Sequence, residues 1–226
     1  MNEMTDAKGR KLKVHKLCCL VENVTINGDF KIDYVEGTMP REDGDICIAS
    51  YMNFLITNNG VIVPQYGDKN DELALDEIKS LNFERIILSP GWGNPDNSVV
   101  TMDVIDFYKD KCPILGVCLG MQCICKYFGA GIIKAPEPFH GKNSQIFFND
   151  DFCLFKGLKQ GFSAARYHSL MVSNTTDDII ITASTKDNIP MAVEIKGKKI
   201  YGVQFHPEAI LTENGIEIFN NFISIP

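Results

Sequence analysis

The fold is decided by PILGVCLGMQ, residues 113–122. Pro113 to Val117 form an apolar run typical of a buried strand, and Met121 to Phe128 continue as an amphipathic segment typical of a helix. Cys118 lies between glycines at the junction, in the pattern Gly-x-Cys-x-Gly. A nucleophile on a sharp strand-to-helix turn needs small neighbours because larger side chains would clash. The N–H groups of the following helix favour a thiolate there. Cys118 is therefore a candidate nucleophile.

The same pattern is open to a second interpretation. Free cysteines are among the most buried residues, so Cys118 alone could be an ordinary thiol in a tight turn. Thiol chemistry on an acyl group needs an imidazole partner that a third group orients. The choice between the two interpretations therefore depends on finding a histidine and a carboxylate.

The composition is that of a globular protein and excludes several classes. The 226 residues are 45% hydrophobic and 23% charged, enough for a sizeable core in one domain. No apolar run approaches the roughly 18 residues that span a bilayer, and the polar start is unlike a signal peptide, so we expect a cytoplasmic location and no membrane partner. Eight cysteines without a CxxC pair are predicted to be reduced thiols. The formal charge of −7 argues against a nucleic-acid partner.

The order of apolar segments predicts the fold class. Strands and helices alternate up to Cys118, which is typical of an α/β fold with a mostly parallel twisted central sheet and flanking helices. Short alternating segments after Gly131 predict a smaller antiparallel sheet. The predicted strands are residues 14–21, 61–65, 85–88, 113–117, 131–135, 144–148, 164–167, 179–185, 192–195 and 200–204. The predicted helices are residues 46–57, 71–81, 99–109, 121–128 and 212–223.

One of the four histidines has the surroundings of a general base. His15 lies in the Lys-rich start, His140 in a polar loop, and His168 lacks a nearby carboxylate in sequence. His206 instead follows a predicted strand and precedes Pro207 and Glu208. A carboxylate two residues on can accept from one ring nitrogen and leave the other for a thiol. The sequence thus predicts a Cys118, His206 and Glu208 set.

From about Gly60 to the C-terminus the chain resembles the class I, or triad, glutamine amidotransferases. The resemblance is carried by ALDEIKSLNFERIILSPGWGNPDN, by PILGVCLGMQCICKYFGAGIIKAPEPFHGK, by ARYHSL and by GVQFHPEAILTENGIEIFNNFI, four separated motifs in the expected order. Within the family, the glutaminase components of anthranilate synthase and aminodeoxychorismate synthase are the most similar. The resemblance implies a flavodoxin-like fold, L-glutamine as substrate, and a separate synthase chain that accepts ammonia. It implies no metal or other cofactor.

The resemblance also implies residue roles. Cys118 would be the nucleophile, His206 the general base and then acid, and Glu208 its orienter. The loop Ser89 to Gly93 would supply an oxyanion donor. The residues implied in substrate binding are Gly91, Trp92, Gly93, Leu119, Gln122, Ser169 and Leu170. Attack on the side-chain amide would release ammonia and leave a γ-glutamyl thioester, which water hydrolyses.

The N-terminal part departs from the family. Residues 1–14 are interpreted as a mobile polar lead, and residues 15–226 as a single amidotransferase domain with an atypical insertion at about 26–45. Trp92 stands where proline is usual in this subgroup, and Met121 where histidine is usual. The changed N-terminal face leaves the ammonia acceptor open between tryptophan, folate and other pathways.

Two other functions remain open at this point. Residues 46–63 also resemble the start of γ-glutamyl hydrolases, which act alone on γ-glutamyl peptides or amides. A regulatory protein without activity is the third possibility, and it is disfavoured because every triad position is filled.

Overall fold

The computed structural model describes residues 75–76, 78–80, 83–91 and 93–226. These residues form a seven-stranded sheet, a two-stranded sheet and three α-helices of eight residues or more. The helices are α1 (Val99–Tyr108), α2 (Leu119–Tyr127) and α3 (Gly215–Ile223). The strands are β1 (Ile86–Leu88), β2 (Ile114–Val117), β3 (Gly131–Lys134), β4 (Lys142–Phe148), β5 (Phe162–Arg166), β6 (Leu170–Ser173), β7 (Ile179–Ser184), β8 (Pro190–Ile195) and β9 (Ile200–Val203).

The large sheet has the order β1-β2-β9-β8-β7-β4-β5. Its first three strands are parallel, and every residue in them is buried. Strands covered on both faces need apolar side chains throughout, which explains the uninterrupted apolar runs in the sequence. Because parallel strands bring their carboxyl ends to one edge, the loops after β1, β2 and β9 meet there.

The predicted α/β class with flanking helices is confirmed, but the strands are distributed differently. Only two of the six pairings in the described part of the large sheet are parallel. Most of the antiparallel strands extend this same sheet. Short connections allow antiparallel pairing, whereas a parallel pair needs a long crossover. The smaller antiparallel sheet that was predicted is present and pairs β3 with β6, although β6 itself was not predicted.

Most predicted elements in the described region are present within a few residues of their expected bounds. Residues 75, 76, 78 and 79 are helical, which agrees with the helix predicted over 71–81. The predicted strands at 14–21 and 61–65, the helix at 46–57, the polar lead and the insertion all lie outside the described residues. The single-domain interpretation therefore stays a prediction.

Three glycines allow α2 to lie directly on the parallel strands. A Cβ on Gly116 of β2 would lie 2.5 Å from the carbonyl carbon of Gly120, and one on Gly120 would lie 2.3 Å from the carbonyl oxygen of Leu88 in β1. A Cβ on Gly202 of β9 would lie 2.6 Å from the Cγ of Met121. All three distances are too short for any side chain. The glycines on both sides of Cys118 therefore hold the start of α2 against the sheet.

Three further findings concern the cysteines, the length of the helices and possible metal ligands in the described residues. Five cysteines are free, as predicted: Cys112, Cys118, Cys123, Cys125 and Cys153. No helix among the described residues is long and apolar enough to cross a membrane. The same residues contain no group of three or more histidine, cysteine or acidic side chains suited to holding a metal ion.

Candidate active site

Cys118 lies at the junction of β2 and α2 in a strained backbone conformation. Its φ is 52° and its ψ is −104°, which is rare for any residue other than glycine. Its N–H donates to the carbonyl of Val203 at 2.8 Å and continues the ladder between β2 and β9. The side chain is 5% exposed. Strain of this kind persists only where the surroundings impose it, and it often marks a functional position. The structure therefore confirms the sharp strand-to-helix turn.

The register of β2 and β9 brings the base to the thiol. Val117 pairs with Val203, so the next residues, Cys118 and Gln204, are neighbours at the strand ends. The Nε2 of Gln204 lies 3.7 Å from the Sγ of Cys118. His206 follows two residues later, and its N–H donates to the carbonyl of Ala165 in β5 at 2.9 Å. Residues 88 apart in sequence are thus brought together by one pair of parallel strands.

His206 and Glu208 form the predicted pair. The Nδ1 of His206 lies 2.6 Å from the Oε1 of Glu208. The Nε2 is buried and has no aligned hydrogen-bond partner among the described residues, so it is the ring atom available to a reacting group. Burial of the ring lowers its pKa, but the Cys118 thiol and the Glu208 carboxylate raise it more, to about 9. The site therefore favours an imidazolium beside the cysteine at neutral pH.

This raised pKa predicts a specific dependence of stability on pH. Protonated His206 stabilises the fold fully below its ordinary pKa of 6.5, and the contribution is lost as the pH rises through about 9. We expect His206→Gln to lower the free energy of unfolding at pH 6 by on the order of 1–2 kcal/mol more than at pH 10. Denaturant unfolding of both proteins at the two pH values measures this. An equal loss at both would contradict the raised pKa.

Two residues that were not predicted from the sequence support His206. The hydroxyl of Thr212 donates to the His206 carbonyl at 2.6 Å and accepts from the N–H of Ala165 at 3.0 Å. The ring of Tyr167 lies edge-on to the His206 ring, with 5.0 Å between centroids. Nothing in local sequence indicates either contact, because Thr212 and Tyr167 reach His206 only through the fold.

Two of the residues expected to hold a substrate, Gln122 and Leu170, are linked to Cys118 through Gln204. The amide Nε2 of Gln122 in α2 donates to the carbonyl of Leu170 at 3.2 Å and to the Oε1 of Gln204 at 3.0 Å. Gln122 is 3% exposed, Leu170 begins β6, and Ser169 is exposed next to it. The structure thus brings Gln122 and Leu170 into contact, on the side of α2 that faces β6.

The loop after β1 reaches the residue that follows the nucleophile. A Cβ on Gly91 would lie 2.8 Å from the Cδ2 of Leu119, so the loop backbone packs on that side chain. Gly93 has a φ of +90°, a conformation that glycine adopts without strain. Trp92 lies outside the described residues. The loop position agrees with the implied oxyanion site, whose donors stay a prediction.

The remaining histidines are placed differently. His140 is exposed, as expected for a polar loop, and His15 lies outside the described residues. His168 is 5% exposed and its pKa is lowered to about 4, chiefly by burial. It is therefore neutral at ordinary pH, and both of its ring nitrogens are engaged, Nε2 by Arg166 and Nδ1 by the Leu170 carbonyl.

Comparison with known proteins places most of the chain in one family. Residues 58–225 match the family described as glutamine amidotransferase class-I. Anthranilate synthase component 2 of Cyanophora paradoxa is 46% identical over 159 residues, covering 69% of this chain and 83% of that protein. The crystal structure of a protein from Thermoplasma acidophilum, described as a GMP synthase subunit, has a TM-score of 0.60 at 30% identity, covering 68% of this chain and 76% of that one.

The N-terminal part is similar to a different family. Residues 1–89 match the family described as Porphyromonas-type peptidyl-arginine deiminase, which overlaps the first match over residues 58–89. An Enterococcus faecalis protein named as an agmatine deiminase is 80% identical over 79 residues, which cover 35% of this chain and 22% of that protein. This similarity was not predicted from the sequence patterns. It includes the segment 26–45 that was interpreted as an insertion.

Proposed function

This chain belongs to the class-I glutamine amidotransferase family, and from that membership we propose that it hydrolyses L-glutamine to glutamate and ammonia through Cys118, His206 and Glu208. The observation that carries the proposal is the strained Cys118 beside an imidazole whose pKa is raised to about 9. A thiolate next to an imidazolium is the reactive form of a cysteine nucleophile. The 2.6 Å contact with Glu208 orients the ring for that role.

The reaction follows from this arrangement. The Cys118 sulfur attacks the side-chain amide carbon of glutamine, and the amide oxygen takes up negative charge. The N–H groups of Leu119 and Gly93 stabilise that charge. His206 gives its Nε2 proton to the amide nitrogen, the carbon–nitrogen bond breaks and ammonia leaves. Neutral His206 then removes a proton from water as the water attacks the thioester, which yields glutamate and regenerates the thiolate.

Substrate specificity would come from polar groups at the far end of the site. Both Nε2 hydrogens of Gln122 are engaged with Leu170 and Gln204, so its Oε1 is the atom available to accept from a substrate ammonium. The backbone of Ser169 and Leu170 would meet the other polar groups of glutamine. A zwitterion held there presents only its side-chain amide to the sulfur.

The ammonia acceptor is proposed to be a separate chorismate-using synthase, for anthranilate or 4-amino-4-deoxychorismate synthesis. Support comes from relatives named as anthranilate synthase component 2, including one from Methanothermobacter marburgensis at 44% identity over 160 residues. With such a partner, we expect the rate of glutamine hydrolysis to rise on the order of tenfold, because coupling between sites commonly has that size. Glutamate release, measured with and without anthranilate synthase component 1 and chorismate, tests this.

A γ-glutamyl hydrolase is the alternative outcome of the same experiment. Strong turnover of γ-glutamyl peptides without a partner, together with no stimulation by the synthase, would reject the role as a synthase component. The segment 46–63 that suggested this alternative lies within the deiminase-like region and outside the described residues. The described residues instead carry the amidotransferase motifs.

A further inference from the structure

A chain of buried polar groups leads from Arg166 to the backbone beside the active site. Arg166 is 1% exposed, and its guanidinium lies 3.3 Å from the centre of the Phe139 ring. Its Nε donates to the Nε2 of His168 at 3.0 Å. The Nδ1 of His168 lies 2.8 Å from the carbonyl of Leu170. Because an arginine nitrogen can only donate, His168 must carry its proton on Nδ1 and donate to Leu170.

The same carbonyl fixes the orientation of two glutamine side chains. The Leu170 carbonyl can only accept, so the nitrogen end of the Gln122 amide must face it, at 3.2 Å. The second hydrogen of that nitrogen donates to the Oε1 of Gln204 at 3.0 Å. Rotating the Gln204 amide by 180° would set two donor nitrogens against each other. The Leu170 carbonyl therefore determines which end of the Gln204 amide is the oxygen and which is the nitrogen, although the two ends have the same shape.

This orientation aims a donor at the nucleophile. With its oxygen held by Gln122, the Gln204 amide presents Nε2 to the Cys118 sulfur at 3.7 Å. Gln204 is fully buried, at 0% exposed, so no water competes for the contact at its surface. A neutral thiol accepts hydrogen bonds weakly, whereas hydrogen bonds to ionised groups are roughly twice as strong as neutral ones. The contact therefore gains most when the sulfur is a thiolate.

We propose that Gln204 stabilises the Cys118 thiolate by donating a hydrogen bond to it, and that the Leu170 carbonyl, acting through Gln122, keeps the Gln204 amide in the donating orientation. Cys118 then has an imidazolium and an amide N–H as partners. When the thioester forms, the sulfur loses its charge and the Gln204 contact weakens. Gln204 thus stabilises the thiolate before it attacks glutamine, and again when the thiolate leaves during hydrolysis of the thioester. The inference rests on the proposed role of Cys118.

Two substitutions at Gln204 separate this role from packing. Gln204→Met keeps the length of the side chain and removes the donor. Gln204→Glu keeps an oxygen for Gln122 but presents a second carboxylate oxygen to the sulfur. We expect iodoacetamide to alkylate Cys118 at pH 7 about tenfold more slowly in the first variant and more slowly still in the second. Mass spectrometry of the Cys118 peptide gives the rates. For glutamine, kcat should fall in both variants, and KM should change little in Gln204→Glu, which keeps the acceptor for Gln122.

A buried threonine provides the matched control. Thr182 in β7 is 3% exposed, and its hydroxyl has no hydrogen-bond partner among the described residues. Thr182→Val should leave the alkylation rate of Cys118 unchanged. If the Gln204 variants do not fold, NMR of the wild type and Cys118→Ala replaces them, because removal of the sulfur should shift the Gln204 side-chain N–H signals.

The outcomes distinguish this inference from the proposed function. The inference would be overturned if Cys118 were alkylated at the wild-type rate in both Gln204 variants. It would also be overturned if the Gln204 side-chain N–H signals did not shift in Cys118→Ala. Either result would hold even if glutamine hydrolysis still requires Cys118. Slow alkylation in the variants of a protein that does not hydrolyse glutamine would support the inference and reject the function.

Discussion

Replacing Cys118 with alanine is expected to abolish glutamine hydrolysis, with and without a partner synthase. Without the sulfur no thioester forms, and the His206 and Glu208 pair has no nucleophile to activate. Removal of a nucleophile that acts together with its base typically costs on the order of 10⁴-fold or more in kcat. Glutamate release by the purified variant, at a protein concentration high enough to detect such a low rate, measures the effect.

Cys123 supplies the control for this experiment. It lies on the same helix, α2, at 0% exposed, and burial raises the pKa of its thiol to about 12, so it is an inert cysteine. Cys123→Ala should retain glutamine hydrolysis, with a modest loss of stability from the smaller side chain. Unchanged activity in Cys118→Ala would reject the mechanism and return Cys118 to the alternative of an ordinary buried thiol.

The second large effect is expected from Gly120→Ala, which should destabilise the fold by about 3 kcal/mol or more, as overpacking against a rigid wall does. In most helices this change stabilises by up to about 1 kcal/mol, because alanine has the higher helix propensity. Here the new Cβ would lie 2.3 Å from the carbonyl oxygen of Leu88, so α2 must move away from β1. Because Cys118 precedes α2 directly, activity should fall together with stability. Denaturant unfolding gives the free energy.

Gly157→Ala tests whether the effect comes from this contact. Gly157 has a φ of +86°, and nothing lies within 4 Å of a Cβ built there. Alanine at that position should cost about 1 kcal/mol from the backbone conformation alone, with activity retained. A Gly120→Ala protein as stable as the wild type would contradict the close packing of α2 on β1.

The sequence predicted the elements that local patterns define. The strand at 113–117 and the helix after it were placed within two residues, because a buried apolar run followed by a Gly-x-Cys-x-Gly turn leaves few alternatives. The strand β6 was missed, since Leu170–Ser173 has no alternating pattern and pairs only with the distant β3. The extension of the large sheet by antiparallel strands was also missed, because no local segment of the sequence indicates which strands are neighbours in a sheet.

The candidate site divides in the same way. Cys118, His206 and Glu208 were predicted because each stands in a recognisable local setting, and the structure places Glu208 against the His206 ring. The contacts of Gln204 and Thr212 were not predicted, because they join segments that are distant in sequence. The similarity of residues 1–89 to a deiminase family was also not predicted. Alternating apolar and polar segments are common to many α/β proteins, so they do not identify a family.

The sequence by itself determined the α/β class and predicted the Cys118, His206 and Glu208 set, because both depend on residue type, spacing and short-range periodicity. Only the tertiary structure decided that the Cys118 sulfur faces a donating amide. That contact requires β2 and β9 to pair in parallel with Val117 opposite Val203, and it requires the Leu170 carbonyl to orient Gln122 and Gln204. The Leu170 carbonyl can orient the two glutamine amides only if the three groups are in hydrogen-bond contact, and only the fold brings them into contact.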